Sequence, residues 1–296
     1  MSAPFRTCYR HPDQPAGVIC QRCDRPICPN CMRQAAVGFH CPDCAKAGRQ
    51  RVYTAATIHQ LQQPIAALTL IALNVAIWLA GFAVQGGQDR MQANFSLVAR
   101  GPFYRGGPVV GIGQGEWWRI ITAGFLHLSW IHIISNMIAL WVLGQLCERL
   151  VGSWRFVLVY AVSLVAGSLG ALIVDPHVSS AGASGAIFGL FGLLIVAAWA
   201  RGIDLRHSGL LTWLIIDLVF TFTIPGISVG AHVGGLIGGA VAGLAVVELP
   251  RRLSVGAPRT REWAGMALAG AIGVACFFGA LAVAASTTVP LPAGLG

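Results

Sequence analysis

Two short patterns in the second half of the chain pair a serine and a histidine with small neighbours. Ser184 lies in Gly182-Ala183-Ser184-Gly185, and His232 lies in Gly230-Ala231-His232-Val233-Gly234-Gly235. A serine hydroxyl is a weak nucleophile at neutral pH, and histidine suits the task of taking its proton. The two patterns predict acyl-transfer chemistry, with Ser184 as nucleophile and His232 as base, if two helices bring them together.

A third pattern, His127-Leu-Ser-Trp-Ile-His132-Ile-Ile-Ser-Asn136, offers hydrogen-bond donors for a developing oxyanion. His132 and Asn136 are four residues apart and therefore share a helix face, whereas His127 should lie at or before the helix start. The spacing also invites a metalloprotease, but a zinc-binding helix needs histidines at i and i+4 with an adjacent glutamate. Here the spacing is five, and no acidic residue lies between Glu116 and Glu148.

A fourth group of residues, near the N-terminus, consists of cysteines and a histidine with the spacing of metal ligands. Each of four pairs is separated by two residues, and the eight members are Cys8, His11, Cys20, Cys23, Cys28, Cys31, Cys41 and Cys44. Eight thiolate and imidazole ligands predict two tetrahedral zinc sites with a structural role. His40 is a spare histidine that could replace Cys41 as a ligand, although a solvated side chain is expected.

The elements that position these residues follow from composition. Of 296 residues, 55% are hydrophobic and 10% are charged, whereas a soluble domain carries about 25% charged residues. A soluble globular enzyme and intrinsic disorder are therefore excluded, and most of the surface should face lipid. The fold class expected is an all-α polytopic membrane protein, and the apolar segments are 63–84, 120–148, 154–174, 184–200, 209–224, 231–249 and 263–286.

Arginine positions predict the topology of these segments. If residues 1–46 are cytoplasmic, the cytoplasmic gaps hold Arg149, Arg155, Arg201, Arg206, Arg251, Arg252, Arg259 and Arg261. Cytoplasmic loops collect arginine and lysine, so we expect seven spans in a plasma membrane, with the N-terminus inside and the C-terminus outside. The second, fourth and sixth spans then run in the same direction and carry their polar groups in their first turns. Ser184, His232 and the His132/Asn136 pair should lie at similar depth.

Small residues support a close approach of the fourth and sixth spans. Gly185 and Gly189 lie on one span, and Gly235 and Gly239 lie on the face of His232. Such a glycine face is also a common packing seam without chemistry, and interhelical hydrogen bonds are the alternative role for each polar residue.

These motifs together resemble the rhomboid intramembrane serine proteases over residues 63–249, including the Trp118-Arg119 pair that precedes the second span. The resemblance implies a six-helix core, here followed by a seventh helix, and single-pass transmembrane proteins as substrates. It implies Ser184 as nucleophile, His232 as base, and His132, Asn136 and Gly182 around the oxyanion, with no cofactor for catalysis. The 86–118 loop, with Pro102, Phe103, Tyr104 and Trp117, would dip into the outer leaflet, although an interfacial aromatic belt is equally expected there.

The N-terminal module resembles B-box-type zinc fingers. That resemblance implies a cross-braced pattern, with Cys8, His11, Cys28 and Cys31 on one zinc ion and Cys20, Cys23, Cys41 and Cys44 on the other. The expected domains are a double-zinc finger at 1–46, a linker at 47–62, a catalytic core at 63–249, and a cytoplasmic loop, seventh helix and tail at 250–296. We expect a cytoplasmic protein as the partner of the module rather than nucleic acid, because arginines beside an anionic leaflet need no nucleic acid to explain them.

Two other functions compete with the protease. A catalytically inactive relative could act as a membrane adaptor whose finger recruits a partner, and a transporter could use polar groups at depth. Asp217 is the only acidic residue in the interior of an apolar segment, because Glu148 and Glu248 lie at segment ends. An aspartate would suit the role of third member of a catalytic triad. However, the predicted depth of Asp217 is roughly 8 Å below that of His232, at 1.5 Å of helix rise per residue. A structural role is therefore expected for Asp217.

Overall fold

A computed structural model describes residues 6–47, 63–102, 107–205, 209–224, 226–254 and 256–288. The chain divides into two compact units, Met1–Gln62 and Gln63–Gly296. The predicted linker lies outside the described residues from position 48 onward, as do Phe103 and Tyr104.

The first unit consists of short elements. They are β1 (Val18–Ile19), β2 (Pro26–Ile27), β3 (Arg33–Gln34), β4 (Phe39–His40) and helix α1 (Pro42–Ala47). Strands β1 and β2 pair antiparallel with Val18 opposite Ile27, and β3 and β4 pair with Arg33 opposite His40. Apart from cysteines, Ile27 is the buried hydrophobic side chain within residues 6–47. So small an apolar core cannot hold these turns together by itself.

The second unit is built on helices. Their bounds are α2 (Ile65–Ala83), α3 (Gly87–Phe95), α4 (Arg119–Thr122), α5 (Trp130–Val151), α6 (Ser153–Val174), α7 (Ser184–Trp199), α8 (Leu210–Thr223), α9 (Val229–Gly243), α10 (Leu249–Arg252) and α11 (Pro258–Ser286). A π-helical turn, Leu244–Glu248, joins α9 to α10. A small hairpin of β5 (Gly101–Pro102) and β6 (Val109–Val110) lies between α3 and α4.

Apolar helices in this unit fit a multi-pass membrane fold. Five of the described helical stretches are long and apolar enough to cross a membrane: Ile65–Ala83, Trp130–Val151, Ser153–Val174, Val229–Arg252 and Pro258–Ser286. Ser184–Trp199 and Leu210–Thr223 are apolar but shorter. Each of the predicted apolar segments therefore contains an apolar helix.

The start of the second predicted segment was wrong. The long helix α5 begins at Trp130 rather than at residue 120, and residues 119–125 form two short helical turns before it. The reason is local, because the Ser129 hydroxyl accepts a hydrogen bond from the His132 N–H at 3.2 Å and caps α5. Hydropathy does not predict the interruption between these turns and α5, because residues 120–126 are as apolar as the helix that follows.

The core of the unit lies where α6, α7 and α9 pack against one another. Thirteen of the sixteen residues of α7 are buried, which makes it the central helix. Glu148, near the end of α5, accepts hydrogen bonds from the N–H groups of Ala66 and Ala67 at 3.0 and 2.8 Å. This buried carboxylate thus binds the N-terminus of α2, where a negative charge is favoured.

Candidate active site and metal sites

Ser184 is the first residue of the central helix α7. Its backbone N–H is therefore among those that a helix start leaves without an intrahelical acceptor. The segment before it is supported by the loop that precedes α4, because Leu97 and Ser180 exchange backbone hydrogen bonds at 2.8 and 3.0 Å. Ser184 is partly exposed, as access of a substrate to its hydroxyl requires.

His232 lies in the first turn of α9, and its side chain is buried. The Ser228 hydroxyl caps this helix by accepting a hydrogen bond from the Ala231 N–H at 3.2 Å. The Nε2 atom of His232 lies 2.7 Å from the Ser184 Oγ, within hydrogen-bonding distance, although the two residues are 48 positions apart. The structure thus brings together the serine and histidine on which the sequence argument rests.

Glycines allow α7 and α9 to approach this closely. A Cβ atom at Gly235 would overlap the Gly185 carbonyl oxygen, and one at Gly239 would overlap the backbone of Gly189. The two backbones are therefore in direct contact below the Ser184–His232 pair, as small-residue seams permit in membranes.

Gly182 and His132 lie beside the serine. Gly182 has a φ of +139°, a conformation that favours glycine, and its N–H donates to the Ala123 carbonyl at 2.9 Å. A Cβ atom at Gly182 would lie 2.8 Å from the His132 Nε2 and 3.6 Å from the Ser184 Oγ. The missing side chain thus leaves space next to the serine hydroxyl and an imidazole nitrogen.

The remaining members of the third pattern are further from this space. The Asn136 amide donates to the His132 carbonyl at 2.8 Å, within its own helix. His127 precedes α5 and is almost completely buried, and its ring lies edge-on to that of His132 with centroids 5.1 Å apart. In this conformation His132 is the member of the pattern that directly borders the space at Gly182.

The Trp118-Arg119 pair has a supporting role in the structure. The Arg119 guanidinium is fully buried and donates to Glu116 at 2.7 Å and to the carbonyls of Ser96 and Ala93 at 2.9 and 2.8 Å. Trp118 donates its indole N–H to the Asn94 carbonyl at 3.3 Å. Both residues therefore attach the C-terminal end of α3 to the start of α4.

Two side chains that contact His232 were not predicted from the sequence. The Thr221 Oγ1 lies 2.6 Å from the His232 Nδ1, and the Phe188 ring stacks on the imidazole with centroids 4.2 Å apart and an interplanar angle of 17°. Asp217 lies one turn before Thr221, and its backbone carbonyl accepts a hydrogen bond from the Thr221 hydroxyl at 2.7 Å. Its position in the sequence could have indicated Thr221, because it is one helical turn closer than Asp217 to the end of the span and therefore closer in depth to His232.

The eight metal-ligand candidates form two groups in the first unit. Cys8, His11, Cys28 and Cys31 make one group, and Cys20, Cys23, Cys41 and Cys44 make the other, with ligand atoms within 4.8 Å of one another. The His11 Nδ1 lies 3.4 and 3.3 Å from the sulfurs of Cys28 and Cys31. A tetrahedral zinc ion with Zn–S bonds of about 2.3 Å separates its ligands by about 3.5 to 3.8 Å. The donor atoms therefore fit zinc, and His40 belongs to neither group.

Backbone hydrogen bonds favour the thiolate forms of two of these cysteines. Desolvation alone raises the pKa of the Cys8 thiol, but backbone hydrogen bonds from Arg10, Cys28 and His11 outweigh it and lower the pKa to about 6. The pKa of Cys20 falls to about 6 for the same reason, through the backbone of Cys41, Arg22 and Cys23. A zinc ion is bound by thiolates, so these hydrogen bonds prepare the ligands for metal.

Comparison with known proteins gives a family match in the second unit. Residues 114–249 match the model of the rhomboid domain. This stretch includes Ser184, His232, His132 and Asn136.

Three curated relatives share parts of this chain. The rhomboid protease GluP of Bacillus subtilis (strain 168) is 36% identical over 206 residues, which are 69% of this chain and 39% of the relative. The putative rhomboid protease YdcA of the same organism is 37% identical over 43% of this chain and 66% of its own length. The rhomboid protease AarA of Providencia stuartii is 26% identical over 64% of this chain and 74% of its own length. The aligned stretches cover less than two thirds of the first two of these relatives. The apolar helices fit a multi-pass membrane protein, and its residues 114–249 are similar to rhomboid domains.

Proposed function

We propose that this chain is an intramembrane serine endopeptidase of the rhomboid type, which cleaves single-pass transmembrane proteins through Ser184 and His232. The observation that carries the proposal is the 2.7 Å separation of the His232 Nε2 and the Ser184 Oγ. Three relatives bear the name of rhomboid proteases, which supports the same reaction class. An inactive adaptor is not favoured, because both reacting side chains are present and in contact.

The proposed reaction follows the acyl-enzyme route. The Ser184 Oγ attacks the scissile carbonyl carbon while His232 takes the hydroxyl proton on Nε2. The tetrahedral intermediate collapses when the C–N bond breaks and the imidazolium returns that proton to the leaving amine. Water then attacks the acyl-serine, His232 takes a proton from the water, and the Ser184 hydroxyl is restored as the acid is released.

The oxyanion of this intermediate requires donors on one side of Ser184. We assign this role to the His132 ring and the Ser184 N–H, with the Asn136 amide turning toward them when substrate is bound. The space beside Gly182 supports this assignment. A Cβ atom added to Gly182 would lie 2.8 Å from the His132 Nε2. Any side chain at Gly182 would occupy this space.

For the first unit we propose two structural zinc ions, held by the two ligand groups described above. Metal binding would stabilise this small unit, whose apolar core is too small to stabilise the fold by itself. We further propose that the first unit lies in the cytoplasm and the C-terminus outside a seven-span plasma-membrane protein, from the arginine distribution.

The direct test combines substrate cleavage with covalent labelling. Purified chain in detergent should cleave a model transmembrane substrate and react with a fluorophosphonate probe, and Ser184→Ala and His232→Ala should abolish both. Ser286→Ala is the matched control, because its hydroxyl donates to the Val283 carbonyl at the end of α11, within its own helix. Normal cleavage by either of the first two variants would refute the proposed function.

A further inference from the structure

The imidazole of His232 is held at both nitrogen atoms. The Nε2 lies 2.7 Å from the Ser184 Oγ, and the Nδ1 lies 2.6 Å from the Thr221 Oγ1. A neutral imidazole carries one proton, so one nitrogen donates and the other accepts. Only the tautomer with the proton on Nδ1 leaves a lone pair on Nε2 to receive the serine proton.

The hydroxyl of Thr221 has one proton, and its second contact decides where that proton goes. The Thr221 Oγ1 lies 2.7 Å from the Asp217 carbonyl oxygen, which can only accept. The Thr221 hydroxyl therefore donates to Asp217, and its oxygen is left to accept from the His232 Nδ1–H. This chain of hydrogen bonds selects the tautomer in which Nε2 is unprotonated.

The position of Thr221 in α8 supports a specific role. Leu214 and Thr221 are the buried residues of this fourteen-residue helix, and the Thr221 side chain is 2% exposed. Thr221 therefore lies on the face of α8 that contacts His232 of α9. In apolar surroundings a neutral hydroxyl also avoids the desolvation cost that an ionised carboxylate would carry.

We propose that Thr221 is a positioning residue for His232, and that its hydroxyl, directed by the Asp217 carbonyl, holds the imidazole in the tautomer with the proton on Nδ1. This inference rests on the proposed function of His232 as the base. Thr221 thus performs the orienting task that an aspartate performs in a serine-protease triad, without a charge. When His232 is protonated by Ser184, the Thr221 oxygen continues to accept from Nδ1–H, so no further proton moves.

The kinetic test compares two substitutions at one position. Thr221→Val keeps the shape but removes the hydroxyl, and it should lower kcat about 10- to 100-fold while leaving KM within about twofold. Thr221→Ser retains the hydroxyl and should restore kcat to within a few-fold of wild type. Thr223→Val is the matched control, because this exposed threonine of α8 donates in the same way to the Val219 carbonyl at 2.7 Å and should remain at the wild-type rate.

A second measurement reads the tautomer without catalysis. In full-length chain labelled with [15N]histidine, the resonances that disappear in His232→Asn identify the ring, and their shifts should show a protonated Nδ1 and an unprotonated Nε2. Thr221→Val should convert part of this population to the Nε2–H form. If that variant does not fold, the wild-type spectrum still decides, since an Nε2–H ring at His232 overturns the inference.

The outcomes separate this inference from the proposed function. If Ser184→Ala still cleaves substrate, the proposed function fails, whatever the tautomer. If Ser184→Ala is inactive while Thr221→Val retains wild-type kcat, or while Thr221→Ser is as slow as Thr221→Val, the role of the hydroxyl is refuted and the Ser184–His232 chemistry stands.

Discussion

The two units of this protein bring distant residues together by different means. In the first unit, the ligand groups are built from pairs with two residues between the members, such as Cys28 and Cys31, and cysteines make up most of the buried side chains. In the second unit, Ser184 and His232 meet because glycines allow two helix backbones to touch. Each ligand group of the first unit therefore joins two local pairs from separate parts of that unit, whereas the Ser184–His232 contact depends on the fit between helices.

Metal removal should produce the largest difference between the units. Structural zinc contributes about 10–16 kcal/mol of apparent binding free energy in small fingers, so chelation should unfold residues 6–47. The helical unit contains neither ligand group, and its cleavage of substrate should persist in the same sample. Metal analysis of the intact chain should give two zinc ions, and proteolysis at the arginines of the module should report its unfolding.

Cysteine variants make this prediction sharper. Cys44→Ser should remove one zinc ion, whereas Cys276→Ser, which belongs to neither ligand group, should retain both. One zinc ion or none in the wild-type chain would contradict the eight-ligand assignment.

Adding a single methyl group at Gly239 of the helical unit should have the next largest effect on stability. The Cβ of Gly239→Ala would overlap the backbone of Gly189, and backbone cannot move aside as a flexible side chain can. We expect a loss of about 3 kcal/mol in unfolding free energy. Gly270→Ala in α11 is the control, because a Cβ there meets nothing within 4 Å, and its stability should change by less than about 0.5 kcal/mol.

Thermal or denaturant unfolding in detergent measures both glycine variants. Zinc content should be normal in each, since the ligand groups lie in the other unit. Equal stability of Gly239→Ala and Gly270→Ala would show that the seam between α7 and α9 is not as close as described.

Substitution of the proposed oxyanion donors, His132 and Asn136, should have an intermediate effect. Removal of one donor costs about 10²–10³ in rate in serine proteases. Here other donors remain, so His132→Ala and Asn136→Ala should each lower kcat about 10- to 100-fold at matched folded concentration. Ser135→Ala is the control, because its hydroxyl is exposed and donates to the same His132 carbonyl. Wild-type rates in both variants would mean that the oxyanion is stabilised elsewhere.

Asp217→Asn should have the smallest effect. The group of Asp217 that contacts Thr221 is the backbone carbonyl, which any residue supplies. We expect cleavage within about threefold of wild type and a small loss of stability. A decrease that approaches the effect of Ser184→Ala would place the carboxylate in the catalytic machinery and contradict this view.

Most of the helical segments were predictable from hydropathy, because an apolar run of this length must be helical in lipid. The start of α5 was not, since the Ser129 cap and the short turns before it are as apolar as a continuous span. The eight ligand candidates were predictable as residues from their spacing, and their cross-braced grouping appears in the structure as the resemblance implied. Thr221 was not predicted, because a lone threonine in an apolar helix carries no charge or motif that marks it as a partner of histidine.

The residues able to do chemistry are recognisable from the amino-acid sequence: a serine, a set of histidines and eight metal-ligand candidates, each in a short pattern. Local spacing is sufficient for such assignments, because side chains a few residues apart share a turn or a helix face. Which of these residues touch depends on the packing of distant helices. The 2.7 Å contact of His232 with Ser184 and the 2.6 Å contact with Thr221 join three helices, and they depend on glycine-mediated packing whose exact register no one-dimensional pattern contains.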